Sequence, residues 1–152
     1  MIVSLIIIII TIICDQLSKY FIFGAQPHSV IGELLWFQSE KNTGAAFSML
    51  SGNNVLFIII TLIATAILFY FIFSKNILTK KLEKISLSLI VGGAIGNLID
   101  RILFAYVRDF IYLKFINFAV FNIADSAITI GAILLIISIL FFNKKEEKNG
   151  RT

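Results

Sequence analysis

Four aspartates carry the chemistry available to this chain. Asp15, Asp100, Asp109 and Asp125 all lie in or at the edge of an apolar segment, whereas the five glutamates fall in polar stretches. A carboxylate near the centre of a bilayer costs roughly 2.5–3.5 kcal/mol even on lenient insertion scales, so it is usually kept there for a function. Asp109 and Asp125 flank a short stretch of extended character. Brought face to face, two such carboxyls share one proton, which is the minimum equipment for acid–base chemistry of the aspartyl type.

The other polar residues within apolar runs fall at helical spacing. Asp15 and Lys19 are four apart and share a face, where they can neutralise one another. Asn97, Asp100 and Arg101 mark a second face, and Asn122 and Asp125 a third. Gly92 and Gly96 form a small-xxx-small pair that lets another helix approach closely.

The elements that must position these residues are membrane helices. Of 152 residues 59% are hydrophobic and only one is proline, with a mean hydropathy of +0.97, more apolar surface than a soluble domain of this size can hide. A single integral membrane domain over 1–152 is expected. Four apolar runs approach the ~20 residues needed to cross the hydrocarbon; they cover about 2–23, 55–73, 85–104 and 123–142. Lys75, Lys80, Lys81 and Lys84 follow the second run, and Lys144, Lys145, Lys148 and Arg151 follow the fourth. The positive-inside rule puts both clusters, and so both termini, in the cytoplasm, and leaves 24–54 and 105–122 outside. At about 1.5 Å per residue, Asp15, Asp100 and Asp125 then share one depth near the outer leaflet.

An apolar run ending at Cys14 suggests a cleaved leader, but it lacks a basic start, Ile13 is too large for a cleavage site, and the run continues past the cysteine. A retained first helix is expected. The excess of basic residues sits beside membrane segments, so it is not a nucleic-acid signal. One histidine, His28, and one cysteine leave no zinc motif, no intrachain disulfide and no Ser-His or Cys-His pairing.

Spacing alone leaves other readings open. Asp15 with Lys19, or Asp100 with Arg101, could be structural ion pairs, Asn97 interhelical glue, Asp125 a helix cap, and Asp109 a loop residue. A small ion- or proton-transporting subunit could use Asp15, Lys19, Asp100 and Arg101 as its path. Such a path would want polar residues at several depths, whereas the inner half of each run is bare. A purely structural subunit would leave Asp109 and Asp125 unexplained.

Five runs occur in order: Asp15-Gln16-Leu17-Ser18-Lys19, Asn42-Thr43-Gly44-Ala45-Ala46-Phe47, Gly92 through Arg101, Val107-Arg108-Asp109-Phe110, and Phe121-Asn122-Ile123-Ala124-Asp125. Together they closely resemble the motifs of the lipoprotein signal peptidases, or signal peptidases II, over essentially the whole chain. The resemblance implies an all-α integral membrane fold of four transmembrane helices with a small external β-cradle and a short interfacial helix. The run Ala45–Leu50 can form an amphipathic helix, either a lid over the site or a plain membrane-surface anchor. It implies an aspartyl endopeptidase of the bacterial cytoplasmic membrane, without cofactor or metal, cleaving diacylglyceryl-modified prolipoproteins before the lipidated cysteine. Membrane lipids and globomycin-type inhibitors are the implied partners, with no nucleic acid, and a monomer is expected. The family's catalytic pair maps onto Asp109 and Asp125; its substrate-binding or supporting positions map onto Asp15, Lys19, Asn42, Gly44, Asn97, Asp100, Arg101, Asn122 and Ala124. The chain departs from the pattern at Arg108, where an apolar residue is common, and at Phe104-Ala105-Tyr106, where a glycine is frequent. Trp36, Phe37, Phe110, Tyr112, Phe115 and Phe118 suit an interfacial rim.

Overall fold

The long runs of isoleucine, leucine and phenylalanine fold as four helices in the computed structural model, which describes residues 1–44, 53–74 and 80–142. They are α1 (Ile2–Ile22), α2 (Asn54–Phe73), α3 (Lys81–Phe104) and α4 (Ile123–Ile137), the last continuing through a π-helical turn, Ser138–Phe142. All four are long and apolar enough to cross a membrane. Between them lies a three-stranded antiparallel sheet in the order β1 (His28–Ile31), β2 (Leu35–Asn42), β3 (Val107–Tyr112). The proposed lid at Ala45–Leu50 lies outside the described residues.

α3 is the central helix. Half of its spanning window is buried, against 11% for α2, which shows most of its surface to the surroundings. Glycine is what lets α1 and α4 close on it. A Cβ at Gly92 would stand 2.7 Å from Thr11 Cβ of α1, and one at Gly96 would stand 2.6 Å from Asp15 Oδ2. A Cβ at Gly93 would collide with the carbonyl of Ala124 on α4. The small-residue face read from Gly92 and Gly96 thus receives α1, and Gly93 receives α4. Ile8, Ile72, Leu87 and Val91 form the apolar core between α1, α2 and α3.

Exposed large side chains such as Ile9, Ile10, Ile59, Ile60, Ile133 and Ile136 cover the outer faces of α1, α2 and α4. That surface suits hydrocarbon rather than water. Three buried hydroxyls within the helices are turned onto their own backbone: Thr65, Ser86 and Ser88 donate to carbonyls one turn earlier.

α3 starts at Lys81, one turn before the apolar run that announced it. Lys81-Leu82-Glu83-Lys84 is polar by type, yet Glu83 is buried and the backbone is already helical. The helix ends at Ala105, which adopts the left-handed conformation at φ 62° and turns the chain sharply into β3.

The sheet then brings distant segments together. β3 pairs with β2, setting Asn42 opposite Val107 and Glu40 opposite Asp109. One extra residue in β2 between Phe37 and Glu40 makes a bulge beside that pairing. On its other edge β3 takes up the returning chain, with Phe121 and Ile111 exchanging backbone hydrogen bonds of 3.0 and 2.8 Å. That return seats the start of α4 against the strand carrying Asp109. Phe110, assigned to a rim from sequence, is instead packed inside at 1% exposure, its ring edge-to-face with that of Phe37 on the neighbouring strand. Phe115 and Phe118 are exposed as a rim requires.

Candidate active site

Asp125 is placed by the helix it helps to begin. Asn122 is the N-cap of α4; its side chain accepts the Asp125 N–H at 2.8 Å, and the Asp125 carboxylate accepts the Asn122 N–H at 3.3 Å. This reciprocal capping box orients both side chains before any other contact is counted. The cap reading of Asp125 is therefore correct but incomplete, since Asn97 Nδ2 on α3 also donates to its other oxygen at 2.7 Å.

Asp109 stands on β3, 1% exposed, and is held from two sides. Asn122 Nδ2 donates to one oxygen at 2.6 Å and Asn42 Nδ2 of β2 to the other at 3.0 Å. Burial, followed by the charge of Asp125, pushes the Asp109 carboxyl from its ordinary 3.8 up to about 7, although the two asparagine amides pull the other way. Both carboxyls line one cavity of about 880 Å³. Asn42, Asn97 and Arg101 share its polar end, and Leu113, Val120, Ile128 and Ile130 belong to its apolar wall.

Behind the pair lies a buried ionic cluster. Lys19 Nζ reaches Asp15 at 2.8 Å, Asp100 at 3.2 Å and the Asn97 side-chain Oδ1 at 3.0 Å, with all three charged side chains fully buried. The other Asp15 oxygen accepts the Ala124 N–H at 2.9 Å, which ties α1 to the first turn of α4. Buried charges of this kind are tolerable only when every lone pair and proton has a partner, a condition this cluster meets. Asn97 is the hub. Its oxygen takes Lys19 and Asn122, and its amide serves Asp125.

Every residue singled out from the sequence thus falls in one connected region. Arg101 donates to the Gly44 carbonyl at 3.0 Å, and the Gly44 N–H donates to Asn42, so these residues close the cavity's edge together. The spacing-based pairing of Asp100 with Arg101 gives way to Asp100 with Lys19 and Arg108, while the Arg101 guanidinium lies over the Phe57 ring. Two participants went unassigned. Gln16 donates to Asp15, the Gly96 carbonyl and Asp100, and Arg108 reaches both Asp100 and Gln16. Strand alternation from Asp109 was the available signal for Arg108, since it puts the two side chains on opposite faces.

Four helices able to span a membrane, around a cradle and with two carboxyls lining one cavity, define a polytopic membrane protein with a candidate active site. The profile of the family described as Signal peptidase (SPase) II matches residues 7–141. The lipoprotein signal peptidase of Lactobacillus johnsonii is 40% identical over 146 residues, covering 93% of this chain and 94% of its own. That of Staphylococcus aureus strain Newman is 41% identical over 153 residues, covering 95% and 93%. A bacterial membrane enzyme structure solved by the in meso method at 2.3 Å superposes with a TM-score of 0.85 at 38% identity, covering 99% of this chain and 92% of that one. A second such structure, at 1.9 Å, gives 0.81 at 40% identity, with 91% and 93% covered. The chain belongs to the signal peptidase II family and is a membrane peptidase.

Proposed function

We propose that this peptidase removes signal peptides from diacylglyceryl-modified prolipoproteins, cutting just before the lipidated cysteine, with Asp109 and Asp125 activating the attacking water. The observation that carries the reading is the pair itself: two carboxyls on one cavity wall, joined through Asn97 and Asn122. Near neutral pH such a pair shares one proton. The ionised member takes a proton from the water, while the protonated member donates to the scissile carbonyl. The tetrahedral intermediate collapses as the leaving amine is protonated. Asn42, Asn97 and Asn122 hold the carboxyls in place, and Asp15, Lys19, Asp100 and Arg101 fix the helices that bear them.

The lysine clusters support, by the positive-inside rule, a topology with both termini in the cytoplasm and the carboxyl pair toward the outer leaflet of the bacterial inner membrane. A signal helix then enters laterally from lipid. The apolar wall of the cavity at Leu113, Val120, Ile128 and Ile130 suits acyl chains, which also register the cleavage point in depth. The test is incubation of the purified monomeric protein with lipidated and unlipidated forms of one prolipoprotein. Cleavage of the lipidated form alone, lost in Asp109→Asn and Asp125→Asn, is expected; near-normal turnover in either well-folded variant would overturn the assignment.

A further inference from the structure

Arg108 lies next to Asp109 but points the other way. Its guanidinium, 12% exposed, donates to Asp100 Oδ1 at 2.8 Å and Oδ2 at 3.3 Å, and to Gln16 Oε1 at 2.9 Å. Its backbone N–H also donates to Asp100 Oδ2, at 2.9 Å, and the Phe104 ring covers the guanidinium with its centroid at 4.6 Å. One residue thus ties β3 to α1 and α3 by backbone, side chain and ring face together. Arginine is suited to this because its planar fork meets both carboxylate oxygens, which a lysine cannot do.

The tie spans a strained turn. Between Asp100 and Arg108 the chain reverses at Ala105, an L-residue held at φ 62° and ψ 11°. Alanine resists that conformation where glycine does not, so the turn needs something to hold it closed. The ionic arithmetic agrees: Asp15 and Asp100 are balanced by Lys19 and Arg108. Without Arg108, one buried carboxylate would lack its counter-charge.

We propose that Arg108 is a positioning residue: it clamps the strand bearing Asp109 to the buried α1–α3 cluster across the strained Ala105 turn, and so sets where the Asp109 carboxyl stands relative to Asp125. Alternation along β3 transmits the effect, because fixing Arg108 on one face fixes the direction of Asp109 on the other. The inference rests on the catalytic reading of Asp109 given above.

The experiment measures kcat and KM for a lipidated prolipoprotein with the full chain in lipid or detergent, normalised to folded protein. It compares Arg108→Leu, Arg108→Lys, Ala105→Gly and the Ala105→Gly/Arg108→Leu double variant, with Asp109→Asn as control. Displacing a reacting group by about 1 Å costs up to ~100-fold; Arg108→Leu is expected to lower kcat by at least about tenfold at nearly unchanged KM. Arg108→Lys recovers only part of this. Ala105→Gly raises kcat more in the Arg108→Leu background than in the parent, since relaxing the turn replaces what the clamp supplied. If Arg108→Leu does not fold, Arg108→Lys carries the same comparison with Ala105→Gly. An unchanged kcat in folded Arg108 variants, an effect confined to KM, or strict additivity with Ala105→Gly would overturn the clamp while an inactive Asp109→Asn leaves the catalytic reading standing. An active Asp109→Asn would remove both.

Discussion

Replacing Asp109 by asparagine should destroy activity and at the same time make the protein's stability relative to the parent rise toward neutral and alkaline pH. The fold holds this carboxyl at about 7 instead of 3.8, chiefly by burying it and then by setting Asp125 beside it. Its folded pKa is raised, so the unfolded chain ionises first. The native state therefore loses stability as pH rises from about 4 to about 7, and the loss levels off above that. At about 1.4 kcal/mol for each tenfold change in the acidity constant, the full penalty is about 4 kcal/mol, an upper bound because water in the cavity screens the Asp125 charge. Asparagine does not titrate, but its NH2 must face the amide of Asn42 or Asn122, a donor against a donor, at a cost of about 1–3 kcal/mol at every pH. The variant should therefore be the weaker protein near pH 4 and gain on the parent by up to about 4 kcal/mol toward pH 8. Trp36, the only tryptophan, reports unfolding in micelles as denaturant is added at each pH. A stability difference that stays flat from pH 4 to 8 would refute the idea that burial and Asp125 set the Asp109 proton affinity.

Two other outcomes test different parts of the construction. Gly93→Ala should destabilise the helix pair α3–α4 by about 1–3 kcal/mol, because the new methyl meets the Ala124 backbone rather than a yielding side chain; thermal unfolding equal to the parent would contradict the packing. Chelators, serine-directed fluorophosphonates and thiol alkylators should leave turnover unchanged, whereas globomycin should block it by seating between Asp109 and Asp125. Chelator inhibition reversed by added zinc would overturn the aspartyl mechanism.

The sequence made the helices legible because spanning a bilayer demands long apolar runs, and a charge inside one of them stands out. The shared depth of Asp15, Asp100 and Asp125 was also readable, and the hydrogen bonds among their partners require it. The early start of α3 was not, since Lys81–Lys84 is polar by type and only its packing shows Glu83 buried. Pairings between elements were the least visible. Spacing along α3 offered Arg101 as the partner of Asp100, because sequence shows only neighbours on one helix. Lys19 and Arg108 arrive from α1 and β3, and that depends on how closely the glycines let α1 approach and where the Ala105 turn aims the strand. Motif resemblance located Asp109 and Asp125 without explaining them; the capping box and the strand return through Phe121 supply the physical reason that they meet.

The Asn122–Asp125 capping box has a bearing on how the enzyme is made. The contacts that start α4 also hold the carboxyl pair, and their other halves sit on α1, β3 and α3. On the catalytic reading proposed above, Asp109 has no second carboxyl to share a proton with until α4 docks, so hydrolytic competence arrives only with that packing event.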